Sequence, residues 1–260
     1  MPLDRDPPPE TVLVTGAGRG LGRALALELA GRGLRVAALG RRAEPLEHLA
    51  AEAASGGRIL PLVADVADPA ELRAAFAEID RALGPLDILI GNAAVYPRCD
   101  FLDETPESFM RTVAVNLGGA ATGAMLALER MIPRGRGRII NVTTFADLAP
   151  AQLASAYSVS KGAGRILTRA MIADLGDRFP DIVITDWIPG ALDTEMGLPG
   201  GIDPKAAARW GATLALWNDP TLNGATFERD NEHLPPQSLK RRLFNLLTGR
   251  RPRPRRLSSN

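Results

Sequence analysis

The chain has 260 residues, 45% of them hydrophobic and 23% charged, enough for one globular α/β domain with a large core. A single cysteine, Cys99, excludes an internal disulfide framework, and two isolated histidines, His48 and His233, offer no cluster of metal ligands, so no metal is expected. The net charge of +1 hides an asymmetry, because Ser238–Asn260 holds eight basic residues and no acid and leaves the rest of the chain net acidic.

Residues 1–10, MPLDRDPPPE, carry acids and prolines where a secretory leader needs a basic start and an apolar run, so a flexible leader on a cytoplasmic protein is expected. TVLVTG then reads as an apolar strand ending in glycine, and Leu21–Gly33 has apolar residues at helical spacing. RVAALG (35–40) is a second strand and ILPLVAD (59–65) a third, followed by a helix over Pro69–Leu83. LDILIGNAA (86–94), a long helix over Pro106–Met131 and RIINVTT (138–144) continue the alternation. A helix over Ala154–Leu175, the strand DIVITDWIPG (181–190), a helix over Lys205–Trp217 and a last strand NGATFERD (223–230) complete it. Strands and helices in this order predict a single α/β domain over 11–233, a parallel sheet wrapped by helices on both faces.

The uncharged stretch Thr112–Leu128 is shorter than a membrane span and is read as a buried helix. Residues 234–260 form a basic extension, with a short amphipathic piece and a Pro/Arg run expected to be disordered. A solvated terminus is the favoured reading of this tail; contact with nucleic acid or an anionic surface is the less favoured one.

Thr15–Gly22, TGAGRGLG, joins the first strand to the first helix. Gly16, Gly20 and Gly22 permit a tight turn and close backbone approach, and the helix start at Gly20–Leu21 offers unpaired N–H groups to a pyrophosphate. The spacing is neither G-x-G-x-x-G nor a Walker loop, and a glycine turn also suits simple strand–helix packing. Its place at the first junction of an alternating chain favours a nucleotide. A NAD site usually has an acid at the end of the second strand, where this chain has Arg41 and Arg42. Those guanidinium groups suit the 2′-phosphate of NADP, with Arg19 as a further contact, unless they only coat an arginine-rich surface. NADP(H) is therefore preferred, with NAD(H) possible.

Tyr157 stands four residues before Lys161 in a chain with two tyrosines and three lysines. On a helix the two side chains share a face. A phenol, with an ordinary pKa of about 10, needs a neighbouring cation to exchange its proton near neutrality. A compact ammonium supplies that charge and also donates to closely spaced oxygens; the alternative is an ordinary surface pair.

With the glycine turn, Asp65 after the third strand, GNAA at 91–94, Asn116, Thr144, YSVSK and PGALDT from Pro189, the sequence resembles the classical short-chain dehydrogenases/reductases from Thr11 to about Asp230. The resemblance implies a Rossmann-like, doubly wound fold and an NADPH-dependent carbonyl reductase, reversible as an alcohol dehydrogenase, that forms a homodimer or homotetramer. It implies that Tyr157 is the general acid/base, that Lys161 lowers the tyrosine's pKa and holds the nicotinamide ribose, and that Thr144 takes the family's serine position. Asn116 would organise a water-linked proton relay. Asp65 would serve the adenine, with Val66, Asn92 and Ala93 beside the cofactor; Pro189, Gly190, Leu192 and Thr194 would line its nicotinamide side.

Departures from the pattern are Thr144 for serine, and Gly91 and Ala94 for the commoner Asn and Gly. Only EMGLPGGID separates Thr194 from Pro204, a short substrate loop that predicts an open site for bulky carbonyl compounds. A second reading is a catalytically idle NADP-binding regulator whose basic tail contacts a partner. Arg98, Cys99 and Phe101 follow the fourth strand, where either substrate contact or an ordinary loop is open, and Cys99 lacks the surroundings of a nucleophile. Gly162 and Gly164 weaken a helix interior and predict close packing there.

Overall fold

In the computed structural model, residues 11–53, 57–234 and 253–257 are described. Seven strands run parallel: β1 (Thr11–Thr15), β2 (Arg35–Gly40), β3 (Arg58–Val63), β4 (Ile88–Gly91), β5 (Arg136–Val142), β6 (Asp181–Ile188) and β7 (Thr226–Glu228). The two-residue β8 (Asn231–Glu232) returns antiparallel to β7. The spatial order is β3-β2-β1-β4-β5-β6-β7-β8, so the winding direction reverses between β1 and β4. Crevices at such reversals, outside the carboxyl ends of the strands, are where open α/β sheets bind ligands.

Strand residues alternate between two apolar layers, as a sheet buried on both faces requires. Val12, Val14, Val36, Ala38 and Ile140 pack with α1 (Gly20–Gly31), α2 (Ala43–Ala53) and α7 (Pro204–Leu216). Leu13, Ala37, Leu39 and Ile139 pack with α3 (Pro69–Ala82) and α5 (Gly119–Met131), joined by the inner face of α6 (Ser155–Leu175). Helices α1 and α7 meet closely at Gly211, where a Cβ would lie 2.7 Å from both Leu25 and the Trp187 ring. The doubly wound Rossmann-like arrangement expected from the resemblance is the one observed.

The structure differs from the sequence reading at four places. Helix α2 has no counterpart there; its Pro45 lies in the first turn, where proline is tolerated. The long helix expected over Pro106–Met131 is α4 (Pro106–Val113) and α5, separated by a π turn over Ala114–Gly118. That turn carries an extra residue and swings Asn116 out of helical register. A hairpin, β7 and β8, replaces the single last strand.

The fourth difference is the Pro/Arg run, which is ordered over Arg253–Leu257. Arg255 binds Glu232 through Nε (2.9 Å) and Nη2 (2.7 Å) and Thr221 Oγ1 through Nη1 (2.8 Å). Leu257 is 2% exposed inside the α1/α7 core layer, and its N–H donates to Asp230 O at 2.7 Å. Composition suggests disorder here, but one leucine and one bidentate arginine supply the burial and the ion pair that overcome it. Leu257→Ala is expected to lower stability by about 2–5 kcal/mol, the range for a buried leucine. An unchanged urea midpoint would show that the tail does not belong to the cooperative fold.

Candidate active site

The carboxyl ends of the strands open onto one continuous cleft of about 1450 Å³. At one end the turn from β1 to α1 forms its floor. Gly16 has φ +67°, and a Cβ there would lie 2.9 Å from Ala93 Cα; a Cβ on Gly22 would lie 2.2 Å from Gly16 O. Neither position admits a side chain. Asn92 and Ala93 pin the end of β4 onto this turn: both N–H groups donate to Thr15 Oγ1 at 3.0 Å, and Asn92 Nδ2 donates to Thr15 O at 2.9 Å. Helix α1 starts with no capping side chain and no acid in its first turn, which leaves its leading N–H groups and dipole free for an anion. A backbone cradle closed to side chains and aimed by a helix start fits a dinucleotide pyrophosphate.

Arg41 and Arg42 stand exposed at the end of β2, line the cleft and form no ion pair with any described residue. Arg19 is ion-paired across the cleft mouth with Glu195. Both partners are solvent-exposed, so the pair is weak and open to exchange for another anion. Asp65 and Val66 line the wall beyond β3, where Asp65 Oδ1 accepts the Ala67 N–H at 3.0 Å and shapes the turn into α3. Leu21, Gly20, Pro189, Gly190, Leu192 and Thr194 also face the cleft. The loop after β6 is folded on itself: Asp193 N–H donates to Ile202 O, Ile202 N–H to Ala191 O and Leu198 N–H to Leu192 O.

Toward the middle of the cleft, α6 presents Tyr157 and Lys161 one turn apart. The Tyr157 ring packs on Tyr96, with centroids 4.4 Å apart, and its phenol is pushed up to about 12 by burial and then by Tyr96. Lys161 is buried and donates through Nζ to Val142 O at 2.7 Å; burial pulls its ammonium down to about 8, against the pull of Asp186. The ammonium is turned to a main-chain carbonyl, and loss of solvent decides the phenol's affinity for its proton.

Thr144 also lines the cleft, and its hydroxyl has no partner among the described residues, whereas the neighbouring Thr143 hydroxyl is buried and unpaired. Asn116 lies one layer behind. Its Oδ1 accepts the Val95 N–H at 2.8 Å, and its Nδ2 donates to Val95 O and Ser160 Oγ, both at 3.0 Å. The π turn thus clips the β4 loop to α6, directly beside Tyr157. Tyr96 and Phe145 are cleft residues with no place in the sequence motifs. The signal available for Tyr96 was its position just past a strand's carboxyl end. Arg98 lies over the Tyr96 ring at 5.7 Å. The Cys99 thiol is pushed up by burial and by Glu104, Asp103 and Asp100, the opposite of nucleophile activation. Among the described residues no group of three His, Cys, Asp or Glu side chains can hold a metal.

A sequence profile described as short chain dehydrogenase matches residues 10–200. The chain belongs to the short-chain dehydrogenase family.

Within this family, the chain is 39% identical over 188 residues to the probable oxidoreductase EphD of Mycobacterium tuberculosis. That match covers 71% of this chain and 31% of EphD, so the short-chain dehydrogenase chain spans about a third of that relative. D-erythrulose reductase of Gallus gallus is 35% identical over 197 residues, 75% of this chain and 76% of that one. Among solved structures, a gluconate 5-dehydrogenase from Burkholderia cenocepacia in complex with NADP and tartrate matches with a TM-score of 0.76 at 29% identity. The match covers 84% of this short-chain dehydrogenase and 92% of that chain.

Proposed function

We propose that this protein is an NADP(H)-dependent carbonyl reductase, reversible as a secondary-alcohol dehydrogenase. The observation that carries the reading is a single cleft in which the glycine turn and two arginines that pair with no described residue at one end lead to Tyr157, Lys161 and Thr144 at the other. The reductase name of one relative and the NADP in one structural neighbour support it.

When bound, the reduced nicotinamide supplies the hydride. The Tyr157 hydroxyl delivers the proton to the oxygen that gains charge, and the Thr144 hydroxyl donates a hydrogen bond to the same oxygen. Lys161 spends one of its three N–H donors on Val142 O, which leaves two for ribose hydroxyls. Asn116 holds Val95 and Ser160 on either side of the tyrosine and keeps its approach fixed. Tyr96, Phe145, Ala149, Met196 and Leu198 give the substrate end an aromatic and apolar wall, suited to bulky ketones. Exposed Met110, Met125, Val159 and Ile166 on α4, α5 and α6 support a homodimer or homotetramer, and the single cysteine suits the cytoplasm.

NADPH oxidation measured across small and bulky ketones tests the reading; turnover of one small ketone with bulky ones refused would remove the open-site part of it. Arg41→Ala combined with Arg42→Ala is expected to raise the NADPH KM about 10- to 100-fold, the loss of charge-assisted hydrogen bonds, and to leave the NADH KM unchanged. Equal effects on both coenzymes would show that these arginines do not read the 2′-phosphate.

A further inference from the structure

The segment Arg253–Leu257 has no place in the proposed chemistry, yet a series of contacts leads from it to the cleft. It runs antiparallel to β8, with Asn231 opposite Arg256. Glu232 N–H donates to Arg255 O at 2.9 Å, and Arg255 N–H donates to Glu232 Oε2 at 3.0 Å. Arg256 Nε binds Asp230 Oδ2 at 2.8 Å, in the turn between β7 and β8. The segment therefore braces the hairpin along its second strand and its turn.

The hairpin in turn reaches the cleft at two points. Arg229 lies over Gly190 of the cleft wall, where a Cβ would be 3.1 Å from Arg229 Nε. His233, the residue after β8, packs on the Phe145 ring with centroids 4.9 Å apart. The His233 N–H donates to Thr226 O at 2.7 Å, so the hairpin backbone sets where the imidazole stands. Phe145 lines the cleft and directly follows Thr144. Helix α6 holds the same ring: Arg165 lies over it at 5.2 Å, and Arg165 Nη1 donates to both Asp147 oxygens at 2.7 Å. Phe145 is only partly buried, so these two contacts, one from the hairpin and one from α6, decide where the ring stands.

We infer that His233 is a positioning residue that acts through Phe145: on a hairpin braced by the C-terminal segment, it fixes the ring that walls the substrate end beside Thr144, and so favours ketones that carry an aromatic group. The role rests on the reductase reading. An aromatic substrate gains from stacking on a ring already held in place, whereas a small aliphatic ketone needs only the Tyr157 and Thr144 hydroxyls.

His233→Ala removes the ring contact and keeps the backbone bond to Thr226 O, so the hairpin stays closed. The KM for acetonaphthone is expected to rise about 3- to 10-fold, the scale of one aromatic pair, with the KM for butanone, the KM for NADPH and kcat unchanged. His233→Phe should restore the wild-type value, and Arg255→Gln, which loosens the brace, should raise the same KM. An unmoved acetonaphthone KM in His233→Ala or Arg255→Gln, an equal rise for both ketones, or no rescue by phenylalanine overturns the inference. The chain has only two histidines, His48 and His233, so their imidazole Cε1–H signals are assigned by His48→Gln. In wild-type protein saturated with NADP⁺, acetonaphthone should shift the His233 signal and leave that of His48 in place. An unmoved His233 signal overturns the inference without recourse to a variant. A wild type that reduces no carbonyl removes the reductase reading, whereas unaltered selectivity in His233→Ala of an active enzyme removes only the role of His233.

Discussion

Tyr157→Phe is expected to lower kcat about 10²- to 10⁴-fold, the usual contribution of a positioned acid/base, while NADPH affinity and thermal stability stay near wild type. The variant keeps the ring and therefore the 4.4 Å stacking on Tyr96; it loses only a hydroxyl for which no protein partner is present among the described residues. With no hydrogen bond to the protein lost, little of the fold depends on that oxygen. In the proposed reading the cofactor is held by the glycine turn, the arginines and Lys161, none of which the substitution touches. A chain that served as an idle NADP-binding regulator would keep its output in this variant. Turnover retained at the wild-type rate would remove Tyr157 from the acid/base role, and a parallel loss of NADPH affinity would make its role one of binding.

The strands were readable because both sheet faces are buried, which turns β1, β2, β4 and β6 into apolar runs closed by Gly or Pro. The glycine turn and the Tyr157–Lys161 pair were readable for a different reason, since each fixes several residue types within a few positions of one helix. The Leu257 anchor was not, because the arginine run around it reads as disordered and only burial in the assembled core overrides that. The π turn was invisible because Asn116 interrupts no apolar pattern; its consequence exists only where α4 and α5 meet the β4 loop. The phenol's raised affinity for its proton also belongs to the assembled cleft, where burial and then Tyr96 raise it.

Lys161→Met should separate function from stability most sharply. Turnover is expected to fall about 10²- to 10³-fold, the scale of removing one fixed electrostatic donor, with weaker NADPH binding because two ribose donors go with it. Stability of the cofactor-free protein moves the other way. The ammonium's pKa is about 8 in the folded protein against an ordinary 10.5, so between those values the unfolded chain binds more protons than the folded one. Wild-type stability therefore rises as pH climbs from about 8 to 10.5, and below 8 the whole cost of burying the charge is present. A methionine of similar length carries no such cost. It gives up the hydrogen bond to Val142 O, worth about 1 kcal/mol, in exchange for a side chain at home in that environment. The variant should be no less stable than wild type at neutral pH, and its stability should lack the rise that Lys161 causes over this interval. Thermal unfolding at several pH values reads this directly. Identical slopes for the two proteins would mean that Lys161 is not held as a charge against the interior.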